Sequence, residues 1–142
     1  MELTAKADYA VRALVELALR YEGKKPVPLS VLCRQEHIPR NFLIQLLLRL
    51  KNAGLIGTVR GIAGGYYLSR PPSEISLAQI FQAVDERFVV SVTTKVKTQS
   101  QTQRVLLDIW RRINQTMIDT LKRLSLEELM VRLQNKEITY SI

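Results

Sequence analysis

Asn41, Gln45 and Asn52 fall at spacings that place them on one side of a helix, with Leu48 among them, Ile44 close by, and Arg49 and Lys51 at the two edges. Short amides near a helix start can hydrogen-bond base edges, Asn and Gln pairing best with adenine. Outward aliphatic groups can meet thymine methyls, and flanking cations meet phosphates on the groove walls. A second group lies at Val59-Arg60-Gly61, where an arginine borders a tip containing Gly61, Gly64 and Gly65. Glycines let a backbone come close to a phosphate or groove, and an arginine in a narrow minor groove gains from its negative potential. Lys6 and Arg12, on the first helix, offer further backbone contacts or simply a solvated face. The plain alternatives are a solvated helix and a tight turn that needs positive φ. Outward Ile44 and Leu48 speak against the first and also suit a protein contact. A nucleotide-binding loop is excluded, because the glycine stretch lacks a Gly-Lys-Ser/Thr ending and a helix directly after it.

The residues that catalysis or metal binding would need are scarce. Cys33 is the one cysteine and His37 the one histidine. An internal disulfide and a site built on several thiolates are thereby excluded. No Ser/His/Asp or Cys/His set and no paired carboxylates in a pocket suggest an enzyme. Cys33 reads as a small apolar residue in a helix-turn-helix core, or as a redox-sensing thiol near the recognition helix. His37 reads as a solvated helix-end residue suited to the dipole, with a pH switch as the other reading.

Charge points the same way as the amide face. The 142 residues carry 21 Lys plus Arg and 13 Asp plus Glu, a net +8. Residues 1–70 hold 11 basic and 5 acidic side chains, +6, and residues 71–142 hold 10 and 8, +2. A basic first half fits a polyanion, either nucleic acid or an anionic membrane, and is also what solubility alone would give. Hydrophobic content of 46% and charged content of 24% are those of a folded globular chain. No apolar run approaches the roughly 20 residues of a membrane span. The start, Met-Glu-Leu-Thr, does not read as a signal peptide.

These groups must be held by a scaffold, and the pattern predicts one. Thr4 caps a first helix carrying Ala10, Ala13, Leu14, Leu17, Ala18 and Tyr21 inward, stopped at Gly23. Pro26 and Pro28 stiffen a connector to a short helix with Leu29, Leu32 and Cys33 on one face. Ile38-Pro39 breaks the chain, and a helix from Arg40 to Ala53 follows, buried through Leu43, Leu46, Leu47 and Leu50 and stopped by Gly54. Short strands at 55–60 and 66–70 make a hairpin around the glycines. The result is a mainly α chain: a winged helix-turn-helix DNA-binding domain over 1–75, then 76–142. The second part holds a connecting helix opened by a Ser76–Gln79 capping box, a mobile loop over 87–104, and a dimerisation helix from about 102 to 124. A short C-terminal helix opened by Ser125-Leu-Glu-Glu128 completes it. The dimerisation stripe is Leu106, Ile109, Ile113, Met117, Leu121 and Leu124, more apolar surface than one small domain needs to cover.

Several segments together resemble the IscR/NsrR-type family of bacterial winged-helix regulators. They are Leu3-Thr-Ala-Lys-Ala-Asp-Tyr-Ala-Val-Arg-Ala13, Ile38-Pro-Arg-Asn-Phe-Leu-Ile-Gln45, Leu50-Lys-Asn-Ala-Gly-Leu-Ile56, Val59-Arg-Gly-Ile-Ala-Gly-Gly-Tyr66 and Ile80-Phe-Gln-Ala-Val-Asp85. The helix with Trp110 and Ser125-Leu-Glu-Glu-Leu129 extend the likeness over nearly the whole chain. The resemblance implies a cytoplasmic homodimeric transcription factor on double-stranded DNA, with Arg40, Asn41 and Gln45 on bases and Arg60 in the minor groove. A family base-reader, often glutamate, is Ile44 here. Many members hold an iron–sulfur cluster through three cysteines before the dimer helix, whereas residues 87–104 contain none, and Arg104 and Leu107 occupy nearby helix positions. Asp8 matches a position that supplies a carboxylate ligand in some relatives, but one carboxylate cannot hold a cluster that wants thiolates. The expectation is no cluster, no metal and no other cofactor, with a regulatory partner protein or another signal in its place.

Overall fold

The computed structural model describes residues 2–22, 25–88 and 100–141, with side chains up to residue 135 in the last helix. Among the described residues these elements follow in order: α1 Ala5–Leu19, α2 Leu29–Glu36, α3 Arg40–Asn52, β1 Ile56–Val59, β2 Gly65–Leu68, α4 Leu77–Val84, α5 Gln101–Arg123 and α6 Leu126–Ser141. A single 3-10 turn at Pro72–Glu74 lies between the hairpin and α4.

Helix starts follow cap chemistry. The Thr4 hydroxyl accepts from the Ala7 amide at 3.2 Å and donates to Asp85 Oδ2 at 3.3 Å, tying the start of α1 to the end of α4. Ser76 and Gln79 form the reciprocal capping box of α4. Ser100 caps α5 through the Gln103 amide at 3.1 Å. Helix α1 stops at Leu19, ahead of Gly23, which lies outside the described residues.

One core joins both parts of the chain. Leu14 of α1, Leu32 of α2 and Leu43, Leu47 and Leu50 of α3 are fully buried with Ile75, Ile80 of α4 and Leu126 of α6. Residue 75 therefore marks a change of role, with no break in the packing. The Leu77 amide donates to the Leu124 carbonyl at 2.9 Å and the Leu126 amide to the Ile75 carbonyl at 3.0 Å, pinning the α5–α6 corner to the start of α4.

Two expectations need correcting. Phe88 is buried and meets Phe81 edge to face at 6.1 Å, and Gln101–Arg104 are already helical. The expected loop over 87–104 thus fails at both of its ends, and residues 89–99 lie outside the described residues. The final helix is 16 residues long. No glycine or proline follows Ser125 to stop it.

Candidate nucleic-acid interface

Helix α3 sorts its residues by period. Leu43, Leu46, Leu47 and Leu50 are buried, while Arg40, Asn41, Gln45, Lys51 and Asn52 are exposed. Ile44 is 40% and Leu48 58% exposed. Phe42 is half-buried at the margin, where it meets Tyr9 of α1 edge to face at 5.5 Å. The amide face is thus rigidly backed by leucines while remaining open.

Both ends of the helix-turn-helix use the same chain reversal. At the end of α3, Gly54 has φ +78, the Leu55 amide donates to the Leu50 carbonyl at 3.1 Å, and the Gly54 amide to Lys51 at 2.9 Å. This is the Schellman arrangement. At the end of α2, Ile38 donates to the Cys33 carbonyl at 3.1 Å, and His37 takes the left-handed position at φ 54. An L-residue with a side chain is disfavoured there by about 1–2 kcal/mol. His37 is therefore more than a solvated helix end, because its backbone makes the turn that aims α3. Cys33 is half-buried against the core, with its carbonyl receiving that turn.

The wing is an antiparallel pair with Ile56 opposite Leu68 and Val59 opposite Gly65. Val27 adds a one-residue third strand, exchanging bonds with Tyr66 at 2.8 and 2.9 Å. A Cβ on Gly65 would lie 2.3 Å from the Val27 carbonyl oxygen, so this close approach requires glycine. Arg60–Gly64 form the tip, with Gly61 at φ +112 and the Gly64 amide donating to the Gly61 carbonyl at 3.0 Å. Arg60 is exposed and Ile62 projects fully into solvent.

The flanking cations differ in availability. Lys6, Arg40, Lys51 and Arg60 make no ion pair among the described residues. Arg49 is already engaged: it donates to the Val84 carbonyl at 3.1 Å and pairs with Glu86 at 3.1 Å. Its guanidinium fastens α3 to the end of α4, a partner that a helical wheel of α3 cannot reveal. Arg12 likewise serves the interior of the fold, bonding the Glu36 carbonyl at 2.7 Å and Asp8 at 3.2 Å and stacking 4.9 Å from the Tyr9 ring centre.

The long helix divides in two. Its first half leaves Leu106, Ile109 and Ile113 exposed, together with Val105 and Trp110, which the stripe did not include. Its second half packs within the subunit: Ile118 is buried against Ala78 and Phe88, with Leu121 half-buried beside them. Met117 and Leu124 are half-buried.

Of 142 residues, about nine-tenths match one family, described as an iron-dependent transcriptional regulator, over residues 3–132. The chain belongs to the Rrf2 family. It is 36% identical over 132 residues to the HTH-type transcriptional regulator IscR of Aliivibrio salmonicida, covering 92% of this chain and 78% of that protein. It is 33% identical over 139 residues to IscR of Pectobacterium atrosepticum, covering 97% and 82%. Among solved structures it resembles CymR, the global cysteine regulator of B. subtilis, with a TM-score of 0.79, 26% identity, and coverage of 93% and 98%. Staphylococcus aureus CymR in its oxidized form gives 0.73 at 28% identity, covering 92% and 96%. This Rrf2 chain is a winged-helix transcriptional regulator, as are the relatives named above, and it is not an enzyme. Among the described residues no helix is long and apolar enough to cross a membrane.

The iron in the family's description does not fit this donor set. Iron–sulfur clusters are held mainly by four thiolates, with His replacing Cys in some. The sequence has one Cys and one His, Cys33 packs on the core, and the Asp8 carboxylate is taken by Arg12.

Proposed function

We propose that this Rrf2 regulator acts as a cytoplasmic homodimer on near-palindromic operators, without an iron–sulfur cluster. Asn41 and Gln45 hydrogen-bond base edges, Ile44 and Leu48 meet thymine methyls, and Arg40, Lys51 and Lys6 meet phosphates. Arg60 enters the minor groove. The observation that carries this reading is the open amide face of α3, backed by buried leucines and flanked by Arg40 and Lys51, which make no ion pair among the described residues. The exposed first half of α5, from Val105 to Ile113, supports the dimer, since five large apolar side chains there need a cover.

Selection from random duplexes tests it. The chain should enrich an inverted repeat whose half-sites lie about one helical turn, roughly 34 Å, apart. Enrichment of nothing, or of a lone half-site, would contradict the dimeric reading. A second reading rests on the exposure of Ile44 and Leu48: a protein-contact patch through which a partner protein sets activity. Capture of a partner that survives nuclease and is lost in Leu48→Asp would favour it.

A further inference from the structure

Between α1 and the end of α2 lies a chain of charges that DNA reading does not use. Arg20 pairs with Glu16 at 2.6 Å. Glu16 shares a side-chain hydrogen bond with Glu36, the last residue of α2. Arg12 stands 3.9 Å from the Glu36 carboxylate, bonds the Glu36 carbonyl at 2.7 Å, and pairs with Asp8 at 3.2 Å. Glu16 and Glu36 keep only 14% and 20% of their side-chain surface exposed. Two carboxylates can bond each other only if one carries a proton. Counting charges agrees: Asp8, Glu16 and Glu36 give three negatives against two positives from Arg12 and Arg20, and one proton balances the set.

We propose that Glu16 and Glu36 form a proton-dependent clasp that fastens the end of α2 to α1, making the seating of α3, and with it DNA affinity, sensitive to pH. The part concerning DNA rests on the reading of α3 given above. Glu36 immediately precedes His37, the left-handed residue of the turn, and α3 begins at Arg40, so a shift at Glu36 reaches the recognition helix within four residues. The proton belongs on Glu36. Burial, the hydrogen bond to Glu16 and the Glu16 charge push its carboxyl up to about 7, with Asp8 adding to the rise and Arg12 opposing it. Burial alone would raise Glu16 too, but the bond from Glu36 and the Arg20 guanidinium outweigh it and hold Glu16 below the ordinary carboxylate value. Among the described residues no charged group of α3 pairs with either carboxylate, and His37 is exposed.

The sign follows from linkage. A carboxyl raised from 4.5 to about 7 in the folded chain leaves the clasp whole below 4.5 and loses its contribution as pH rises through 7. Glu36→Gln keeps a donor toward Glu16 without a titrating proton and leaves every other side chain of the chain unchanged. Between pH 5.5 and 8 the wild-type melting temperature should fall relative to E36Q by about 3 °C, a modest figure because both groups touch solvent. Affinity for a duplex selected by the wild type should drop about fivefold more over that range in the wild type than in E36Q. Parallel melting curves would overturn the clasp. A melting difference without an affinity difference would overturn its coupling to α3. If the chain bound no duplex at all, the DNA reading would fail, and the melting comparison would still decide the clasp. Should E36Q fold poorly, carbon NMR of the wild-type Glu36 carboxyl decides: a midpoint near 7 supports the clasp, and one below 5 overturns it.

Discussion

On α3, Ile44 and Leu48 stand in water beside Asn41, Gln45 and the exposed cations Arg40 and Lys51. On α5, Val105, Leu106, Ile109, Trp110 and Ile113 stand in water together, on a stretch of nine residues. An apolar partner laid on the α3 face would strand its amides at a cost of about 1–3 kcal/mol each. A polar groove satisfies them and still accommodates two isolated aliphatic groups. The α5 face carries no such interspersed amides among its five large side chains, so it needs a dry cover. Half-exposed side chains of this size give roughly 1 kcal/mol each on burial. Two copies give about 10, against an association cost of about 4–15. Such a margin is thin, and one misplaced charge should end it.

Ile109→Glu therefore carries the largest expected effect. Light scattering should give about twice the 16.3 kDa chain mass for the wild type and a single chain for the variant, with circular dichroism unchanged. A variant that stayed dimeric would remove the contrast between the two faces. Next come the adjacent positions Leu47 and Leu48 of α3, the first fully buried and the second exposed. Leu47→Ala should cost about 2–5 kcal/mol in urea unfolding, because it empties fully buried volume. Leu48→Ala should cost under about 0.5 kcal/mol of stability and weaken DNA binding instead. Equal unfolding midpoints for the two would break the assignment of faces. The smallest effect is a gain. His37→Gly relieves the left-handed backbone, offset by the added freedom of glycine when unfolded, and should stabilise the fold by about 0.5–1 kcal/mol in the same assay. Lower stability would show that the His37 side chain has a partner worth more than the strain.

The face of α3 was legible because a 3.6-residue period is a property of local sequence, and four leucines at that period define it. The wing was legible from its glycines, and α5 from its stripe, expected over about 102–124 and found over Gln101–Arg123. What stayed hidden depends on distant partners. Arg49 looked like an edge cation until the end of α4 came to lie against it. The stripe from Leu106 to Leu124 gave no sign of where α4 and Phe88 would cover it, which is why its second half proved internal. Glu16 and Glu36 are twenty residues apart and fit no short motif, so their pairing appears only when α1 and α2 pack. His37 stands where glycine is the expected residue, and its turn geometry was unreadable for that reason.

The central claim is that α3 and the wing tip grip a double helix, and Arg60 tests it most directly because it holds no protein partner among the described residues whose loss would confuse the result. Binding of wild type and Arg60→Ala to a duplex selected by the wild type should be titrated across salt concentrations. The account predicts at least about tenfold weaker binding for the variant and a salt slope reduced by about one, as one phosphate-facing charge is lost. Unchanged affinity and slope would contradict it.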